Sequence, residues 1–166
     1  MHRADRAQQC AMLRPMKIVA QAHFPIPPER LYSLLQRTEV VSRIAFPLLV
    51  FHARDRAPMG ELLPFGPYRV WMWVLGVIPL GSQTLRITRH ESEGRFQLHD
   101  AGSGWIAQRW DHWQCVTPAE GGALYRDEIE VEAGLLTPFV AAFAWAFVRW
   151  RHRRLSSAAL HQEVLF

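Results

Sequence analysis

From Ala123 to Glu132 the chain alternates with a period of two. Tyr125, Asp127, Ile129 and Val131 share one parity, and Arg126, Glu128, Glu130 and Glu132 share the other. Successive side chains of a strand point to opposite faces, so this segment reads as a half-buried β-strand. Such a strand needs partners beside it and a cover over its dry face. It also sets a problem, because Asp127 falls on the dry parity. A buried carboxylate without a partner is costly or takes up a proton.

The preceding segment supplies a candidate partner. A strand over Ile106–Val116 puts Trp110, His112 and Gln114 on one face and Asp111, Trp113 and Cys115 on the other. A turn at Pro118–Gly121 that pairs Val116 with Ala123 sets His112 directly across from Asp127 and Gln114 across from Tyr125. Such pairs stand about 5 Å apart at Cβ. A slip of one residue would bring Asp111 or Trp113 there instead.

The rest of the chain supplies the cover. MKIVAQAHF, from Met16, reads as a first strand. Pro27 and Pro28 suit the first turn of a helix in which Leu31, Leu34 and Leu35 form one buried face. Thr38 is placed to cap a second short helix, with Val41 and Ile44 on its apolar side and Pro47 ending it. Strands are expected at Leu49–Arg54, over the doubly apolar run Tyr68–Ile78, through Leu85 and Ile87, and at Arg95–Asp100. The turn after the long apolar run is placed at Ile78-Pro79-Leu80-Gly81. One long helix closes the chain, with Thr137 as cap, Pro138 as first residue, and Phe139, Phe143, Phe147 and Trp150 as a single aromatic stripe. Arg149, Arg151, Arg153 and Arg154 read as a solvated basic helix end complementing the macrodipole.

The fold class is therefore α+β. A curved antiparallel sheet of six or seven strands surrounds a long C-terminal helix, with two short helices after the first strand. One domain covers residues 16–160. Residues 1–15 read as a loose leader and 161–166 as a tail, in which EVLF resembles part of a protease-site tag.

Composition limits the function classes. At 49% hydrophobic and 20% charged, the 166-residue chain can bury a substantial core. Seven Trp and nine Phe suit either a cavity wall or a large packed core. The net charge of +4 includes Arg3, Arg6 and Arg14 near the start. Contact with a membrane periphery is open on this basis, and nucleic-acid binding is not expected. Two distant cysteines, Cys10 and Cys115, and the lack of a secretory signal fit the cytoplasm. No His spacing suits a metal, and no motif calls for a cofactor. Ser103 lacks a nucleophile-elbow context, and Gly102–Gly104 is no phosphate loop. Tyr68, Arg69 and Trp71 could edge a pocket mouth, with surface packing the favoured account.

Across residues 16–155 the chain resembles the START-related helix-grip superfamily, which includes polyketide cyclases/dehydratases and ubiquinone-binding proteins. The resemblance is carried by Gly76-Val77-Ile78-Pro79-Leu80, by Arg95-Phe96 followed by Asp100, and by Trp110-Asp111-His112. It continues through the hairpin arm from Gly121-Gly122 through Asp127 to Val131 and the Arg151-His152-Arg153-Arg154 helix end. Ala123 and Val131 stand where the superfamily favours Thr and Tyr. The resemblance implies a cavity between sheet and helix that binds a small hydrophobic molecule such as a lipid, isoprenoid or polyketide, for transport or sensing. Trp73, Trp110, Phe143 and Phe147 are candidate walls, and His112, Gln114, Tyr125 and Asp127 the polar side. The His112–Asp127 pair has three readings: a hydrogen bond that fixes register, an anchor for a ligand's polar end, or the acid/base pair of a cyclase/dehydratase. Binding is favoured over catalysis. A further alternative is an interaction domain whose core is filled by its own aromatics, which a lack of any cavity above about 300 Å³ would favour.

Overall fold

A computed structural model describes residues 14–54 and 66–160. The expectations for Arg3, Arg6, Cys10, most of the leader and the tail from residue 161 fall outside them.

The elements follow in the order β1 (Met16–Phe24), α1 (Pro28–Gln36), α2 (Thr38–Ala45), β2 (Leu49–Ala53), β3 (Gly66–Val74), β4 (Ile78–Ser92), β5 (Arg95–Gly104), β6 (Arg109–Ala119), β7 (Gly122–Glu132) and α3 (Thr137–Leu160). All neighbouring strands pair antiparallel in one sheet of order β1-β7-β6-β5-β4-β3-β2. Strands β2 to β7 form a meander, and β1 returns to pair with β7. The curved sheet and long last helix are the helix-grip arrangement read from the sequence.

The alternation in β7 is obeyed throughout: Tyr125, Asp127, Ile129 and Val131 are buried, whereas Arg126 is exposed and Glu128 and Glu130 are half-buried on the outer face. Phe24, Leu31, Leu35, Leu98, Val116, Tyr125 and Leu155 form one dry cluster. Ile18, Ile129, Val131, Ala144 and Val148 form another between β1, β7 and α3. A third gathers Ala45, Leu49 and Phe147, with Phe51, Val74, Leu80 and Phe143 against it. Phe24 meets Tyr125 edge to face at 6.0 Å between ring centres.

Several local expectations are corrected. The turn after the long apolar run lies at Leu75–Val77, and Pro79 is already inside β4. Leu75 and Gly76 both have positive φ. Gly76 takes that geometry without steric cost, so the chain reverses three residues before the expected turn. Strand β6 runs three residues further than expected, to Ala119, since Pro118 pairs with Ala123. Arg37 holds the capping position of α2, with Thr38 the first helical residue. The Thr137 hydroxyl bonds backward, accepting from the Ala133 amide and donating to the Gly134 carbonyl. It thereby ties α3 to the 3₁₀ turn Gly134–Leu136.

The aromatic stripe divides. Phe143 and Phe147 stack in parallel, 6.1 Å apart, but Phe139 is 74% exposed. The basic run divides as well: Arg149, Arg153 and Arg154 face water, whereas Arg151 and His152 are buried. Because α3 continues to Leu160, its last turn carries no basic residue, and the run serves the middle of the helix rather than its dipole.

Candidate functional site

Between the concave sheet and α3 lies a partly enclosed cavity of about 200 Å³. Its walls are largely apolar: Val70, Met72, Leu85, Ile87, Trp110, Phe143 and Phe147 among others. Its polar side chains include Gln83, Asp100, His112, Gln114 and Arg151.

Strand parity accounts for the inward set. On β6 it is Trp110, His112 and Gln114, while Trp113 stacks on His99 outside, 3.9 Å between ring centres. On β3 the inward residues are Tyr68, Val70 and Met72. Trp71 instead meets Trp105, and Trp73, expected as a wall, is not among the lining residues. The parity of Trp73 is opposite to that of Val70 and Met72, and a bulge follows Met72. Trp110, His112, Gln114, Phe143 and Phe147 do line the cavity. Tyr125 and Asp127 stand behind that wall rather than on it.

The register differs from the one expected. Gln114 lies opposite Asp127, Val116 opposite Tyr125, and His112 opposite Ile129. The shift is two residues, so face assignments are unchanged and His112 reaches Asp127 along the diagonal. His112 Nε2 donates to Asp127 Oδ1 at 2.6 Å. His152, one helix away, donates its Nε2 to Asp127 Oδ2 at 2.7 Å. The Tyr125 hydroxyl proton is shared between Asp127 Oδ1 at 2.8 Å and Gln114 Oε1 at 2.9 Å. Arg151 Nη2 donates to the same Gln114 Oε1 at 3.2 Å.

Asp127 is 1% exposed. Burial alone would push its carboxyl up, but hydrogen bonds from His112 and His152, with the His112 and Arg151 charges, hold it well below the usual carboxylate range. Each imidazole therefore presents an Nε2–H to this carboxylate. Asp100 has the opposite environment. It is the direct neighbour of His112 on β5, lines the cavity, and among the described residues accepts the Arg86 amide alone, at 3.1 Å to Oδ1. Burial pushes its carboxyl up, against the pull of His112 and that amide. Burial, then Asp100, also raises the Tyr68 phenol. Two inward carboxyls on one sheet face are thus driven in opposite directions by their surroundings.

Arg151, His152, Asp100 and Gln83 are absent from the sequence reading of the site. For the first two a signal exists: Ala144, Val148, Leu155 and Ala159 are buried at helical spacing, and that stripe passes through 151 and 152. Among the described residues, no group of three or more His, Cys, Asp and Glu could hold a metal ion.

A family model described as a domain of unknown function, DUF8410, matches residues 26–159. The chain belongs to the DUF8410 family. No curated protein matches it. Solved structures place the DUF8410 fold among known ones. A START superfamily protein from Mycobacterium smegmatis aligns at a TM-score of 0.63 and 12% identity, over 88% of this chain and 98% of that one. An AHSA1-like protein from Aeromonas hydrophila aligns at 0.59 and 17% identity, over 88% and 96%. Ara h 8.0201 aligns at 0.61 and 10%, over 88% and 98%. The DUF8410 fold is thus the START-like helix-grip fold, as its sequence resemblance implied. No helix among the described residues is long and apolar enough to cross a membrane.

Proposed function

We propose that this DUF8410 protein binds a compact, mainly apolar molecule between its sheet and α3, with the ligand's polar end toward Arg151, Gln114 and His112. The observation that carries this reading is a partly enclosed apolar cavity on which these polar side chains converge. Its size selects the ligand. At about 200 Å³ it falls below the mark of about 300 Å³ that separates a drug-sized pocket from a filled core, which counts toward the interaction-domain alternative, yet it exceeds the roughly 150 Å³ that holds benzene. One ring with a short side chain fits better than a long lipid or a multi-ring polyketide. A cytoplasmic setting is part of the proposal, supported by the free thiol of Cys115.

The test uses the intact chain and a neutral one-ring probe, 2-phenylethanol. Calorimetric titration is expected to give saturable binding with a Kd below about 1 mM. Val70→Phe, which puts a ring into the cavity, is expected to abolish it. Absence of saturable binding of both this alcohol and its acid counterpart, phenylacetate, to the wild type, or equal binding to the filled variant, rejects the reading.

Proton transfer is the second reading, favoured by one observation. His112 lines the cavity while Asp127 holds its Nε2 at 2.6 Å, which is how a carboxylate orients an imidazole as general base. Here the paired readout would be exchange of an acidic C–H proton of a bound ketone with solvent deuterium, lost in His112→Gln.

A further inference from the structure

Arg151 is 6% exposed and forms part of the cavity wall. Among the described residues, no carboxylate lies within ion-pair distance of its guanidinium. It donates to the neutral Gln114 amide, faces the Tyr125 hydroxyl, and stands 5.8 Å from the Phe147 ring centre. A guanidinium has five N–H donors in a rigid plane and stays charged in proteins. Buried charges of this kind are normally paired, and leaving one unpaired is costly.

The nearby acids do not fill the gap. Asp127 is already occupied on both oxygens by His112, His152 and Tyr125. Asp100 is influenced by Arg151 only at longer range, and burial pushes its carboxyl toward the protonated form. The guanidinium therefore presents spare donors to a mainly apolar hollow that has room for about one ring. Planar donors of this geometry match a carboxylate, which accepts two parallel hydrogen bonds. One guanidinium complements one negative charge, and a second charge on the ligand would be buried without a partner, so the complement is singly charged.

We propose that the cavity selects a compact monocarboxylic acid, its carboxylate gripped by Arg151 and its ring held among Trp110, Phe143 and Phe147. This rests on the binding reading above and names the class of ligand. Gln114 then acts as a positioning residue. Its carbonyl, held by the Tyr125 hydroxyl, fixes the guanidinium edge that it accepts from and leaves the remainder of the fork for the ligand.

The experiment compares phenylacetate with its amide, phenylacetamide, by calorimetry at pH 7 on the wild type, Arg151→Gln and Arg151→Lys, each checked for a cooperative thermal melt. The two probes match in shape and differ in charge. The wild type is expected to prefer the acid at least tenfold. Arg151→Gln should reduce that preference below threefold, and Arg151→Lys, which keeps the charge without the fork, should fall between. Amide binding equal to or tighter than acid binding in the wild type overturns the proposal, and so does a preference that survives in Arg151→Gln. If that variant does not fold, the wild-type comparison and Arg151→Lys decide. Binding of 2-phenylethanol and the amide without a preference for the acid rejects this inference and leaves the binding reading in place. Binding of none of the three probes rejects both.

Discussion

Asp127→Asn isolates the charge at the centre of the buried network. The carboxylate accepts from His112 and Tyr125 on Oδ1 and from His152 on Oδ2. Asparagine keeps one acceptor oxygen. If that oxygen stays toward His112 and Tyr125, the new NH₂ meets His152, which must change tautomer and accept through Nε2. No bond need be lost outright, but all three lose their charge-assisted component. A hydrogen bond to a charged group contributes about 1.5–3 kcal/mol, against about 1 kcal/mol for a neutral one. Three such losses, with Arg151 left without its nearest anion, amount to about 2–4 kcal/mol. For a domain of this size that lowers Tm by roughly 4–16 °C.

The pH dependence gives a second readout. The folded-state carboxyl titrates below its unfolded value, so its contribution is present above about pH 4 and lost as pH falls below it. The gap between wild type and Asp127→Asn should be full at pH 7 and should narrow below pH 4. Urea denaturation followed by circular dichroism across this range checks both. A Tm change under about 2 °C at pH 7, or a gap that widens in acid, would refute the account of Asp127 as an ionised acceptor.

Three other outcomes follow from the same structure. Asp100→Asn should raise Tm at pH 7, because the raised carboxyl makes wild-type stability fall as pH climbs above the unfolded value; the gain should vanish below about pH 4 in a pH series of melts. Lys17→Ala removes the exposed ion pair with Glu128 and should cost less than about 1 kcal/mol in urea denaturation, even though Lys17 and then Arg126 hold that Glu carboxyl down. Gly104→Ala should cost about 1–3 kcal/mol by the same assay; its new methyl would sit 2.7 Å from the Ser82 carbonyl and run into the Gln83 side chain on the cavity wall.

The legibility of the site in the sequence follows from what periodicity can and cannot encode. Parity along β6 and β7 was readable because Arg126, Glu128, Glu130 and Glu132 mark one face as wet. Parity is indifferent to a shift of two, so the inward grouping of His112, Gln114, Tyr125 and Asp127 was recoverable while their pairing was not. The turn at Leu75–Val77 was hidden by a stronger Pro-Gly signal a few residues on. Trp73 was assigned by residue type, and a bulge with strand parity decides such a position instead. Arg151 and His152 were obscured by composition. Five basic residues among six suggest solvent, and only the buried apolar neighbours one turn away on either side, Val148 and Leu155, show that two of them turn inward.

The strand order has a consequence for how the molecule forms. Met16 pairs with Val131 and Phe24 with Ala123, so the opening strand waits for the seventh to exist, whereas the hairpins from β3 to β7 close over loops of two to four residues. Closing so distant a contact spends chain entropy before any native energy is returned, which slows folding relative to helical bundles of this length. During synthesis the first strand leaves the ribosome without its neighbour. Asp127 gains its third donor only when the final helix delivers His152, which makes that buried triad a late reporter of completed folding.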